Sequence, residues 1–223
     1  MSMVNVLRSE RIVPVPAQAT PLPPRGRARF GQAADESERA KGEQVRLDDG
    51  RTLYLRPIRP DDVDAVRRCF TRLHPDEVRM RFMQAMRELP LPLARRLCTL
   101  DPAEASAYVL MDETCNPAEL RGVGRIHLDA ATHSAEFAVL VERAWTGKGL
   151  GHLLMLRLIE ECKRRGLEEI WGYVLVDNRP MLDLCRELGF RHRLSVDDPG
   201  MRLLSLALDG ASEPVSRPTE RDC

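Results

Sequence analysis

The chain has 223 residues, enough for one domain with a real core plus tails. Its 34 Lys and Arg balance 34 Asp and Glu, so it lacks the basic excess expected of a general nucleic-acid or anionic-membrane binder. Its six cysteines lie far apart with no C-x-x-C pair or Cys/His cluster, and no long apolar run or leader-like start is present. We therefore expect no metal site, no disulfide framework, no membrane span and no signal peptide, as in a cytoplasmic protein.

Residues 1–45 read as a disordered tail. Pro14, Pro16, Pro21, Pro23 and Pro24 come close together, and Arg25, Arg27 and Arg29 form a small solvated basic cluster. A single domain then spans 46–209, and 210–223 read as a polar, flexible tail. A strand ends near Arg46, and Asp49-Gly50 is a hairpin signal. An alternating strand follows from Arg51. The first helix runs over about 61–74, capped by Asp61, with Val63, Val66, Phe70 and Leu73 on one face. Shorter helices are expected over 75–85 and 91–100, after the Pro75 and Pro92 breaks. Strands are expected over 105–111, 120–128 and 135–141, joined by short turns, which makes an antiparallel meander.

The stretch after the third of these strands carries the strongest signal. Gly147, Gly149 and Gly151 stand at alternate positions, and Leu150, Leu153, Leu154, Leu158 and Cys162 then draw a helical stripe. A strand, a glycine turn and a helix start together present unpaired amides and a partial positive charge to an anion. The spacing excludes a nucleotide-hydrolase loop, because Lys148 is followed by Gly149 rather than by a hydroxyl. It also excludes a dinucleotide fingerprint, whose third glycine falls on His152 or Leu154. The helix stops at Gly166, and a buried strand over 169–176 is expected to pair in parallel across it. A second glycine-stopped helix over about 177–190 and two last strands, 190–196 and 201–208, complete the domain.

The run Thr146-Gly-Lys-Gly-Leu-Gly151 resembles the acetyl-CoA turn of the GNAT superfamily of N-acetyltransferases, and Asn178 through Gly189-Phe190 is similar to that family's late helix. Two earlier stretches, Leu55 to Asp62 and Arg72 to Phe82, resemble the GNAT domain of bacterial protein lysine acetyltransferases. Those enzymes modify acyl-CoA synthetases, and many carry an added nucleotide-binding or regulatory module, which we do not expect here. The resemblance implies an α/β fold of the α+β mixed-sheet kind, a central, mostly antiparallel sheet flanked by helices. It implies acetyl-CoA as co-substrate, a primary amine as acceptor, and no metal.

The same resemblance assigns site residues. Glu136 falls where the family carries its general base; an acid among Ala135, Phe137, Ala138 and Val139 either faces a cleft or lies on a solvated strand face. Glu142 and Glu113 are the runners-up, both read as surface residues. The backbones of Val139, Leu140 and Val141 are expected to pair with the pantetheine amides. Thr146, Gly147, Lys148, Gly149, Leu150, Gly151 and His152 would hold the pyrophosphate. Thr146 stands where Gln or Arg is usual, which implies weakened binding. Asn178 either contacts the cofactor or caps its helix. The family's late-helix tyrosine, its usual acid, is replaced by Cys185, read here as core; Tyr173 belongs to the preceding strand. The acceptor implied is a protein lysine. A small-molecule amine and a non-catalytic acyl-CoA sensor are the alternatives.

Overall fold

The computed structural model describes residues 42–83, 85–194 and 198–208. The two tails beyond them, with Arg25, Arg27 and Arg29, lie outside the described residues. The first strand, β1 (Glu43–Arg46), begins inside the stretch read as tail and pairs antiparallel with β2 (Thr52–Pro57). Gly50, at φ +84°, turns the hairpin, and its amide donates to the Leu47 carbonyl at 2.9 Å.

Pro60–Asp62 is a 3-10 turn, and helix α1 (Val63–Arg72) starts only after it. Asp61 is therefore not the cap expected from sequence. Asp62 occupies that position, and its carboxylate accepts from the Arg56 guanidinium at 2.7 and 2.8 Å and from the Arg59 amide at 2.7 Å. Helix α2 (Pro75–Phe82) is opened by His74, whose amide donates to Glu77 at 2.7 Å, and it ends at Met83 in the left-handed region. Helix α3 (Leu91–Cys98) follows the proline break. Phe70, Val78, Phe82, Ala94 and Leu97 join these helices into one apolar layer.

Strands β3 (Ala105–Asp112), β4 (Glu119–Asp129) and β5 (Ser134–Val141) form the expected meander. A second 3-10 turn, Arg143–Trp145, leads through the glycines into α4 (Leu150–Arg164). Strand β6 (Glu169–Leu175), helix α5 (Arg179–Glu187), β7 (Arg191–Leu194) and β8 (Met201–Ala207) close the order. The sheet runs β1-β2-β3-β4-β5-β6-β8-β7. Among the described residues only the β5–β6 pairing is parallel, as a strand–helix–strand unit favours.

Both long-helix exits are set by glycine. Gly166 (φ +69°) and Gly189 (φ +86°) take the left-handed cap position, and the following amides, Leu167 and Phe190, reach back to the Cys162 and Cys185 carbonyls at 3.0 and 2.9 Å. Helix α4 lies on one sheet face. Leu154, Leu158 and Cys162 are fully buried against Ile126, Phe137 and Ile170 or their neighbours, and each such leucine stabilises the fold by about 2 kcal/mol. Gly124 on β4 permits this approach, because a Cβ there would stand 3.3 Å from Leu154. The α1–α3 layer covers the opposite face, where Ala65 and Cys69 meet Val109, Met111 and Leu120.

Candidate active site

The site begins where two strands part. β5 and β6 are registered at Ser134–Glu169, Ala135–Ile170 and Glu136–Trp171, and the pairing stops there. From Phe137 onward the β6-facing edge of β5 has no strand beside it, while its other edge remains bonded to β4 as far as Val141. The gap opens into a cleft of about 670 Å³, including space open to solvent. Consecutive residues Glu136 to Val139 line it, so the strand presents its edge and not one face. Tyr173 and Val174 of β6 stand opposite, and Asn178 and Met181 of α5 close one end.

Glu136 sits at the apex. It is 8 % exposed, and its Oε2 has no hydrogen-bond partner among the described residues. Burial raises its carboxyl to a pKa of about 7, while the nearby positive charge of Arg81 acts in the opposite direction. A buried acid poised near neutrality suits a group that gives and takes a proton. In the β4–β5 register His127 is paired with Glu136 and Arg125 with Ala138, so these four lie on one sheet face, the one turned toward the α1–α3 layer. Arg81 reaches the same wall from the last turn of α2.

The glycine turn lies beyond the C-terminal end of β5. Gly147 and Gly149 adopt φ of +72° and +75°, conformations that disfavour a side chain, and a Cβ on either would meet nothing within 4 Å. The space beside both glycines is therefore open. Gly151 differs: it is already within α4, and a Cβ there would stand 3.5 Å from Leu184. Thr146 uses its hydroxyl to close the turn, donating to the Arg143 carbonyl at 2.8 Å. Leu150 is core, and His152 is exposed. Lys148 is held by Asp49 of the β1–β2 turn at 2.9 Å. Trp145 is buried beneath the turn, with the Arg51 guanidinium 3.9 Å over its ring.

Of the residues expected from sequence, the fold brings Glu136, Val139 and Asn178 together in the cleft. Leu140 faces a second, apolar cavity under α1 and α3, and Val141 packs with Trp145 and Leu150. Asn178 caps α5, accepting from the Met181 amide at 3.3 Å, while also lining the cleft. Cys185 is fully buried, and burial pushes its thiol up to about 12, as befits a core residue. Glu142 is corrected. It is not a surface residue but 6 % exposed, locked by Arg72 at 2.6 Å and Arg121 at 3.1 Å. Both cations hold it as an ion pair, away from the cleft lining. Glu113 is exposed. Sequence reasoning does not reach Arg81, Arg125, His127 and Tyr173 as cleft residues, and nothing in β4 sets Arg125 and His127 apart, because Glu119, Arg121 and Asp129 are polar positions of the same strand.

Among the described residues, no group of His, Cys, Asp and Glu is placed to hold a metal ion, and no helix is long and apolar enough to cross a membrane.

Comparison with known proteins places this geometry in a family. The model of the acetyltransferase (GNAT) family matches residues 64–190. An acetyltransferase of Pseudomonas aeruginosa is 30% identical over 162 residues, covering 73% of this chain and 87% of that protein. Acetyltransferase Pat of Mycolicibacterium smegmatis is 30% identical over 147 residues, covering 65% of this chain. The chain spans only 43% of that relative's length. The crystal structure of the GNAT domain of S. lividans PAT shares the fold with a TM-score of 0.67 at 21% identity, covering 75% of this chain and 97% of that one. The family match spans more than half of the sequence and takes in the parted strands, the glycine turn and the late helix, so the chain belongs to the GNAT family of acetyltransferases.

Proposed function

We propose that this chain transfers an acetyl group from acetyl-CoA to a primary amine, with a protein lysine as the acceptor and Glu136 as the general base. The observation that carries this is the buried Glu136 carboxylate, with one oxygen unpartnered, at the point where β5 and β6 separate. The residues present suit the co-substrate. The open edge of β5 from Phe137 to Val141 offers backbone groups at the spacing that a pantetheine arm's amides can pair with, as a strand pairs with an added strand. Gly147 and Gly149 leave room for a pyrophosphate at the head of α4, where the helix dipole favours negative charge.

Bound acetyl-CoA supplies a thioester whose carbonyl carbon an unprotonated amine can attack. An ammonium has no lone pair, so a proton must leave first, and in this reading Glu136 accepts it directly or through one water. Its pKa of about 7 leaves a substantial fraction ionised at neutral pH, while keeping it basic enough to take the proton. Phe137, Val139 and Val174 give the cleft apolar walls around that exchange. The resemblance of Leu55 to Asp62 and of Arg72 to Phe82 to the GNAT domain of bacterial protein lysine acetyltransferases supports a protein acceptor.

The test is incubation with acetyl-CoA labelled in the acetyl group and a cell lysate. Label on protein lysines is expected. Label only in small amines would replace the acceptor, and acetyl-CoA binding without transfer to any amine would leave a sensor.

A further inference from the structure

Helix α2 is bonded to both arms of the fork in the sheet. Its first turn holds the segment that follows β5. One oxygen of the Glu77 carboxylate accepts from the Arg143 amide at 2.9 Å, and the other accepts from the His74 amide at 2.7 Å. Arg79 holds the segment that follows β6, through an ion pair with Asp177, the residue before Asn178 of the cleft. Side chains two positions apart on a helix point about 200° apart, so one short helix reaches both sides. Val78, between them, is buried and faces the apolar layer together with Phe82. The end of the helix, Met80 to Met83, lines the cleft that Glu136 also lines.

A helix of eight residues is too short to hold its shape alone, so its ties decide where it lies. The two ties differ in kind. A carboxylate accepting from backbone amides makes charge-assisted bonds, stronger than neutral ones. The Arg79 and Asp177 side chains are 41 % and 54 % exposed, and such a pair adds little to stability. The approach to the glycine turn has supports that do not involve α2: Thr146 closes on the Arg143 carbonyl, and Glu142 is held by Arg72 and Arg121. Loss of Glu77 therefore frees the helix more than the turn.

We propose that α2 is a strap across the parted strands, and that Glu77 and Arg79 are positioning residues that fix the acceptor-facing wall against the two arms of the cleft. The inference rests on the acyl-transfer reading of the cleft and names what holds the acceptor in line with the thioester. Both residues act through the helix, whose far end forms the wall, and not on the reacting atoms. A small displacement of that wall misaligns the amine, which costs rate without loosening the co-substrate.

The test is steady-state transfer from acetyl-CoA to a short peptide with one central lysine, measured on the whole chain beside calorimetric titration of acetyl-CoA. Glu77→Ala is expected to lower kcat/KM for the peptide by about tenfold, with the acetyl-CoA dissociation constant within about twofold of the unmutated chain. Glu77→Gln keeps one accepting oxygen and should lose about threefold. Arg79→Asp sets like charges together and should lose about fivefold, and adding Asp177→Arg should restore kcat/KM to within about twofold. The strap is overturned if acetyl-CoA affinity falls by the same factor as kcat/KM, or if Glu77→Ala leaves the peptide kinetics within about twofold. Should that variant not fold, failure of the reversed Arg79–Asp177 pair to recover any activity overturns it. Failure of the underlying reading would show instead in the unmutated chain, as no transfer to the peptide.

Discussion

The ring of Phe137 lies on Gly172: its Cε1 is 2.9 Å from where a Cβ on Gly172 would stand. These are the residues that directly follow the last registered pair, Glu136 and Trp171. The phenyl ring thus occupies the space at the point where the strands part, and it packs edge-on against Phe190 at 5.4 Å. Gly172→Ala must displace that ring or the β6 backbone. We expect a loss of about 1–3 kcal/mol in unfolding free energy, typical of overpacking, and a weakened hold on acetyl-CoA. Chemical denaturation and calorimetric titration check the two effects separately.

The glycine turn gives a graded expectation. Gly147→Ala and Gly149→Ala meet no steric obstacle, but their φ of +72° and +75° costs a side chain about 1 kcal/mol. The altered turn should reduce acetyl-CoA affinity by about tenfold, since the amides proposed to hold the pyrophosphate would shift with it. Gly151→Ala sits at ordinary contact distance from Leu184 and should leave the melting temperature nearly unchanged. Equal destabilisation by all three would contradict the distinct roles given to them.

Lys148 and Asp49 supply a salt-dependent prediction. Asp49 holds the Lys148 ammonium at 2.9 Å and also accepts from Arg51, and the side chains of both Asp49 and Lys148 are partly exposed. A pyrophosphate at the turn would compete with Asp49 for that ammonium. Asp49→Asn is therefore expected to tighten acetyl-CoA binding by about twofold to fivefold at low salt. The gain should fade as salt is raised, because exposed charges are screened. Dissociation constants measured at two ionic strengths decide it.

The Glu136 carboxyl also ties stability to pH. Its folded pKa of about 7 lies above the ordinary glutamate value of 4.5. Between these values the folded state binds more protons than the unfolded one, so stability falls as pH rises. The contribution is complete below 4.5 and is lost by the time pH has passed through 7. Its size is about 3 kcal/mol. Glu136→Gln lacks this dependence, so its stability relative to the unmutated chain should rise between about pH 5 and pH 8. Urea unfolding of both proteins at the two pH values provides the comparison. Arg81→Met removes the charge that restrains Glu136 and should carry the midpoint higher still.

The parts of the fold legible in the sequence are those fixed by local backbone demands. Gly147 and Gly149 are written into the chain by their left-handed φ, and Gly166 and Gly189 by their helix caps. The apolar spacing from Leu150 to Cys162 likewise declares its own buried face. What stayed hidden depends on partners distant in sequence. Glu142 looks like a surface acid until Arg72 and Arg121 are folded against it. Arg81 and Arg125 meet Glu136 only because α2 packs under a sheet whose register sets Arg125 opposite Ala138 and His127 opposite Glu136. No local periodicity encodes that meeting.

Single-turnover acetyl transfer to a lysine-containing peptide, followed against pH for the unmutated chain and for Glu136→Gln, bears most directly on the acid–base role of Glu136. The unmutated chain is expected to gain rate with rising pH and level off above about 7, as its base ionises. Glu136→Gln should be slower by about 10²–10⁴-fold and should lose that inflection, while its dissociation constant for acetyl-CoA stays within about twofold. Equal rates in the two proteins, with the same inflection, would contradict the assignment of Glu136 as the base.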